Sequence, residues 1–343
     1  MRVNVFVILC LMLVTISVQA QDTSHVIMFY NLENLFDTED NPDTADDEFV
    51  GGGIRGWSNK KLSAKCKRIY QLIASTGNKF PAVIGFCEVE NRKVLERLVN
   101  TTPLKKLGYK IIHKDSPDFR GIDVALLYKT DEFTPSTFKH YPLIIDGKVE
   151  HSREILQVKG RFEGCKDYIH FFVNHWPSKY SGVKKSDAKR ALAGQSLRRL
   201  TDSALANDKT AVVVCMGDFN DEPADESLLL HLGAKVPSKE ISQTDLYNLS
   251  YHLMNNNVGT HKYRNQWSVL DQFIVSGNLL AGSICLSTSP DDAHINKSDF
   301  LLVKDEKYLG KKTFRTYNGF KYIGGYSDHL PIWLEIIVKP TAE

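Results

Sequence analysis

Paired thiols are the first thing this sequence lacks. None of its six cysteines belongs to a CxxC pair, which leaves no zinc-ribbon or thioredoxin-type pattern. Charge of one sign is missing too: 43 Lys and Arg stand against 41 Asp and Glu, so attraction to nucleic acid is not written into bulk composition. No repeat at a solenoid period and no Pro/Ser-rich linker divides the 343 residues, and a 42% hydrophobic content can fill a substantial core. Long apolar runs are absent beyond the N-terminus. There Arg2 precedes the run Val5 to Val18, which closes on Val18-Gln19-Ala20, a small-residue cleavage pattern. The run is shorter than the roughly 20 apolar residues a membrane span needs. The expectation is a signal peptide over residues 1–20 and one domain over 21–343, exported to the periplasm or secreted, monomeric, with no integral membrane segment after cleavage. Five cysteines would remain, and that odd count gives no disulfide framework; Cys87 and Cys215, inside apolar runs, read as small core residues.

What is present is a series of hydrophobic runs, each interrupted by polar residues at its end. His25 to Tyr30, Pro81 to Cys87, Ile122 to Tyr128, Tyr168 to Val173, Thr210 to Met216, Val269 to Val275 and Ile332 to Val338 read as strands. Helical periodicity covers Lys60 to Ser75, Asn91 to Val99 and Ser186 to Ala206. Strands interleaved with a few helices make the chain mixed α/β or α+β. The polar interruptions are Asn31 to Glu33, Glu88, Asn174-His175, Asp218-Phe219-Asn220 and Asp328-His329, and Asp271 stands on an apolar strand of its own. Singly they are ordinary: Glu88 suits a helix's first turn, and Asp218-Phe219-Asn220 suits a turn. Asp271 is harder to dismiss, because an unpartnered buried carboxylate is costly. In combination they offer hard oxygen ligands (Glu88, Asp328, Glu33 and the Asn31 amide) that suit Mg²⁺, with Mn²⁺ or Ca²⁺ as alternatives, beside histidines able to donate to a phosphoryl oxygen. The implied reaction is hydrolysis of a phosphate ester.

The set Phe29-Tyr30-Asn31, Ile84 to Val89, Val173 to Ser178, Met216 to Asn220, Leu270 to Ile274 and Tyr326 to Pro331, in that order, resembles the endonuclease/exonuclease/phosphatase superfamily. The resemblance implies a deoxyribonuclease I-like α+β fold, a four-layer α/β/β/α sandwich of two mixed sheets. It implies metal ligation by Glu88, with Asn31 and Asp328 beside the metal or phosphate and Glu33 as an additional ligand. It further implies that Asp218 orients or deprotonates water, that Asn220 holds that aspartate or the phosphate, that Asp271 braces His329 against the phosphoryl group, and that His175 serves the leaving side. Asn174, Arg120 in Phe119-Arg120-Gly121, and Arg315 and Tyr317 in a basic and aromatic stretch are candidate substrate contacts. A nucleic acid is the first substrate expectation. A phospholipid or sugar phosphate, as in sphingomyelinases and inositol phosphatases, is the second, and a non-catalytic module that binds a phosphate ligand is the third.

Overall fold

Alternation along the strands decides where each side chain of this fold ends up. A computed structural model describes residues 22–339, apart from 146, 180–181, 209, 256–258 and 283–284; the expected signal segment lies outside the described residues. The principal elements are β1 (Thr23–Leu35), α1 (Asn59–Ala74), β2 (Val83–Val89), α2 (Arg92–Thr101), β3 (Tyr109–His113), β4 (Asp123–Lys129), β5 (Phe133–Tyr141), β6 (Ile155–Phe162), β7 (Ile169–His175), α3 (Val183–Asn207), β8 (Val212–Asp218), β9 (Leu246–Asn248), β10 (Asp271–Ser276) and β11 (Ile332–Val338).

Two seven-stranded sheets result. One runs β11-β1-β2-β4-β3, with Leu286–Ser287 and Ala293–Ile295 added against β11; the other runs β9-β10-β8-β7-β6-β5, with Ala234–Lys235 outside β9. Each is mixed: β1 with β2 and β7 with β8 are parallel, whereas β1 with β11 and β8 with β10 are antiparallel. Inward-facing Ile27, Phe29, Val83, Val173, Val214, Met216, Phe273 and Leu334 form one core between the sheets. Their sequence neighbours face outward, because successive strand residues point to opposite faces. Met28, Tyr30, Ile84 and Phe86 meet Ile69 and Leu72 of α1 and Leu95 and Leu98 of α2. Phe172, Val213, Cys215 and Ile274 meet Ala193 and Leu197 of α3. Helix, sheet, sheet and helix therefore stack as the four-layer α+β sandwich.

Local chemistry starts the helices where they start. Ser58 accepts from Lys61 N ahead of α1, and Asn91 accepts from Val94 N ahead of α2, each satisfying an otherwise orphaned N–H. Gly217 lets β8 lie close to β7, since a Cβ there would meet Asn174 O at 2.5 Å. The odd cysteine count misled: Cys165 and Cys285, 120 residues apart, form a disulfide, while Cys66, Cys87 and Cys215 are free and buried. An odd number leaves one thiol over but does not forbid a pair among the rest. Among the described residues no helix is long and apolar enough to cross a membrane.

Candidate active site

The inward-facing stripe of each sheet changes from apolar to polar at one end of the sandwich. On β8, Val214 and Met216 enter the core, and Asp218 follows two residues later on the same face. Asp218 stands in register with His175 of β7 and with Asp271 of β10. From the facing sheet, Asn31 continues the inward row of Ile27 and Phe29, and its Nδ2 donates to Asp218 Oδ2 at 3.1 Å and to Glu88 Oε1 at 3.3 Å. One amide thus ties the sheets together where the core stops.

The backbone bends to keep these groups there. Glu33, Asn34, Glu88 and Asn220 all have positive φ, between 48° and 59°, a region non-glycine residues seldom occupy outside functional or tightly constrained sites. At Glu88 the register between β2 and β4 is broken, and its carboxylate accepts from Asn34 N at 2.9 Å. At Asn220 the backbone N–H donates to Asp218 Oδ1 at 3.0 Å, while the side chain donates to Trp176 O at 3.0 Å.

His329 arrives from the segment before β11. Its N–H donates to Ser327 Oγ at 3.1 Å, and Ser327 Oγ donates to Asn31 O at 2.8 Å. Its Nδ1 lies 2.7 Å from Asp271 Oδ2, and its Nε2 lies 3.8 Å from Asp218 Oδ2. Burial opposes a charge on this ring, yet Asp271 and Asp218 outweigh it and raise the imidazole well above its ordinary value. Burial also lifts Asp218; His329 pulls against that while Asp271 and Glu88 add to it, and the carboxyl is pushed up to about 7. His175 goes the other way. Its Nε2 is 3.8 Å from Asp218 Oδ2 and 4.0 Å from Glu88 Oε1, its Nδ1 is buried without a partner, and burial with Arg153 and Arg120 holds it well below the usual value.

On the outer flank Arg315 donates through Nε to Glu33 Oε1 at 2.8 Å and through Nη2 to Asp328 Oδ2 at 3.0 Å. Glu33 also accepts from Thr316 N, so each of its oxygens has one partner within the protein, as each oxygen of Glu88 has. Burial alone would raise Asp328, but Arg315 and His329 hold it below the carboxylate range. Two expected substrate contacts turn inward in the structure. Asn174 is fully buried, donating to Phe172 O and Met216 O and accepting from Trp176 Nε1, so it fixes the turn after β7. Tyr317 is 5% exposed, gives its hydroxyl to Arg55 O and packs against Phe49 and Trp57. Arg120 is partly exposed and near enough to His175 to depress it.

Several residues here escaped sequence reading. His261 forms an isolated bridge with His329, with ring centroids 4.8 Å apart. Arg153 pairs with Asp118 at 2.9 Å and donates to Trp176 O at 2.7 Å. Lys65 reaches Glu33 O at 2.7 Å from inside the buried face of α1. Lys65 alone had a signal, a lysine at helical spacing from Leu62, Ile69 and Leu72. His261 and Arg153 lie in stretches with no pattern.

Two groups of ligand atoms gather at the site, Cys87 with His175 and Asp218, and His261 with Asp328 and His329; in the second, His329 Nδ1 is already committed to Asp271. Atoms of Cys87, His175 and Asp218 lie within 4.8 Å of one another, but burial and Asp218 raise the Cys87 thiol well above its ordinary value and keep it protonated, and a metal needs the thiolate. Glu88 and Asp328 keep 17% and 24% of their side chains exposed and have lone pairs to spare, which fits an oxygen-ligated divalent ion.

A sandwich with its polar cluster at one end of two facing mixed sheets defines a deoxyribonuclease I-like fold. The chain belongs to the endonuclease/exonuclease/phosphatase family, whose pattern matches residues 26–338. Solved structures share the fold. D. rerio TDP2 humanised by 14 mutations is 12% identical with a TM-score of 0.55, covering 91% of this chain and 98% of that one. An endonuclease/exonuclease/phosphatase family protein from Bacteroides thetaiotaomicron is 17% identical with a TM-score of 0.54, covering 93% and 99%. The human nocturnin catalytic domain, with bound sulfate, is 14% identical with a TM-score of 0.54, covering 92% and 96%. No curated protein matches the sequence.

Proposed function

We propose that this chain is a divalent-cation-dependent phosphoesterase that hydrolyses phosphodiester bonds, with a nucleic acid as the favoured substrate. The observation that carries the reading is the row His175, Asp218 and Asp271 in register, joined by His329 on Asp271 and by Asn31 from the opposite sheet. Glu88 and Asp328, with Asn31 beside them, would hold the cation, Mg²⁺ by preference. When bound, it neutralises phosphate charge and stabilises the charge that builds in the transition state.

The chain's own groups divide the proton work. Asp218, pushed up to about 7, has the proton affinity of a base that accepts from water near neutral pH. Asn220 N and Asn31 Nδ2 fix its two oxygens. His329, braced by Asp271, presents Nε2–H to a phosphoryl oxygen. His175, kept neutral by burial, stands on the other side of Asp218 and orients the leaving oxygen. Support for nucleic acid comes from D. rerio TDP2, which shares the fold and is solved with a single-strand DNA product. Phe119, 62% exposed next to Arg120, suits base stacking beside a phosphate. Export fits the N-terminal apolar run and the Cys165–Cys285 disulfide, since such bonds persist in oxidising compartments.

Plasmid DNA, RNA, sphingomyelin and inositol phosphates, assayed with Mg²⁺ and again with EDTA, test the proposal. Metal-dependent cleavage of DNA or RNA is the expected result. Turnover of sphingomyelin or inositol phosphates alone overturns the substrate assignment, and no turnover of any of them overturns the enzyme.

A further inference from the structure

The chain leading to His329 folds so that one guanidinium lies between two acids. Phe314 O accepts from Tyr326 N at 2.5 Å and Arg315 O from Gly325 N at 3.1 Å, which closes the segment between them into a loop. Gly325 permits the approach, since a Cβ there would meet Phe314 O at 2.0 Å and Arg315 O at 2.3 Å. Thr316 N donates to Glu33 Oε2 at 2.6 Å, and Thr316 Oγ1 accepts from Lys65 Nζ at 2.6 Å. Backbone bonds and Thr316 therefore hold this loop without help from the Arg315 side chain.

That side chain reaches both acids all the same. Nε donates to Glu33 Oε1 at 2.8 Å and Nη2 to Asp328 Oδ2 at 3.0 Å. The Glu33 side chain is 5% exposed and that of Arg315 is 43% exposed, so one end of the guanidinium is locked and the rest faces solvent. A guanidinium has five N–H donors. Among the described residues none accepts from Nη1, and none donates to Asp328 Oδ1. Two carboxylates brought this close repel unless a cation separates them. Lys65 is the other cation nearby, but it is buried and donates to Glu33 O and Thr316 Oγ1 instead of to a carboxylate. Arg315 is thus the cation that faces both acids.

We propose that Arg315 is a built-in cation, occupying the place between Glu33 and Asp328 that a second divalent ion would otherwise take, and offering its Nη1 hydrogens to the substrate phosphate. On the phosphoesterase reading above, on which this role depends, the site takes one ion, held by Glu88 and the free side of Asp328. Arginine suits the task better than lysine, because its planar fork bonds two carboxylates and a phosphate oxygen in fixed directions. Its charge also stays when the divalent ion leaves.

Titration of the metal-free full chain with Mn²⁺ and no substrate, read by electron paramagnetic resonance of the unbound ion and by calorimetry, tests the proposal. The expected result is one ion per chain in the wild type and two in Arg315→Gln at millimolar Mn²⁺. Adding Glu33→Gln to Arg315→Gln should remove the second ion again, and Arg315→Lys, which keeps the charge, should stay at one. With a phosphodiester substrate and enough ion to fill one site, kcat/KM of Arg315→Gln should fall about tenfold or more, mainly through KM. Melting curves establish that each variant is folded. Two ions in the wild type, one ion in Arg315→Gln, or an unchanged kcat/KM in Arg315→Gln would each overturn the proposal alone. No ion bound to the wild type would overturn the phosphoesterase reading with it.

Discussion

Asp271 and His329, 58 residues apart in sequence, meet through a 2.7 Å contact between Oδ2 and Nδ1 in a fully buried setting. Thr260 holds the Asp271 end, its hydroxyl accepting from Leu270 N and Asp271 N at 3.0 Å each. This explains why a carboxylate sits on a fully buried strand: it fixes the ring and keeps Nε2 protonated toward Asp218. Asp271→Asn should lower kcat for a phosphodiester by about 10²–10³-fold with little change in KM, as expected when a donor to the charge developing on phosphorus oxygens is lost. Steady-state kinetics alongside a melting curve separate this from unfolding. Wild-type kcat in the variant would remove His329 from the reaction.

Asp218→Asn keeps the shape and removes the base. A neutral amide relieves the repulsion that burial and neighbouring carboxylates put on the carboxyl, but its NH2 must face one of two donors, Asn31 Nδ2 or Asn220 N, so the melting temperature should shift by only a few degrees. Hydrolysis should fall by about 10²–10⁴-fold. Retained turnover would show that another group activates water.

Much of this site was legible because strand alternation is a sequence property. The runs ending in Met216 and Val173 placed Asp218 and His175 at strand ends; Asn31, expected to follow a strand that ends at Tyr30, lies within β1, which continues to Leu35. What could not be read is which strands pair, because register is set by contacts between distant segments. Hence Arg315 and Tyr317, two residues apart, diverged: one bridges Glu33 and Asp328 and the other joins an aromatic core. β5 went unseen because most of its side chains are exposed, as suits a sheet edge, and its alternation is weak. Cys165 and Cys285 carried no spacing signal, since only the assembled fold brings them together.

Removal of divalent ions should silence the enzyme reversibly. EDTA is expected to abolish hydrolysis, and Mg²⁺, with Mn²⁺ or Ca²⁺ as substitutes, to restore it. Glu88→Gln should raise the Mg²⁺ concentration for half-maximal rate by roughly tenfold or more, because a carboxylate is a far stronger hard-cation ligand than an amide. An unchanged Mg²⁺ dependence would move the ion away from Glu88.

The Cys165–Cys285 bond closes a loop across 120 residues and ties the turn after β6 to the strand segment at Leu286. Constraint on the unfolded chain makes such a link worth about 2–4 kcal/mol. Cys165→Ser with Cys285→Ser should therefore lower the melting temperature by several degrees, at about 1.5 °C per kcal/mol for a chain of this size, and reduction of the wild type should reproduce the loss. Neither cysteine is among the residues of the site, so kcat at 25 °C should be unaffected.

Buried histidines should give the fold a pH dependence that begins above the carboxylate range. His140, His170 and His261 are each pushed down to about 4, first by burial, against an unfolded value of about 6.5. Below pH 6.5 the unfolded chain binds protons that the folded histidines refuse, so stability present above 6.5 is lost progressively as pH falls toward 4. His329 has the opposite sign. Its raised value adds stability that is complete below 6.5 and fades only as pH climbs through its folded value, so it cannot mask the acid loss. Asp218 and Glu90, pushed up to about 7 and about 8, take up protons in the folded state over the same range and offset this loss, so the imidazole contribution is read as a difference between variants in denaturant melts from pH 7.5 to 4.5. His140→Gln, which removes a buried ring with an unpartnered Nε2, should lose less stability on acidification than the wild type. An identical pH dependence in the two would mean that this imidazole is solvated or paired in the folded protein.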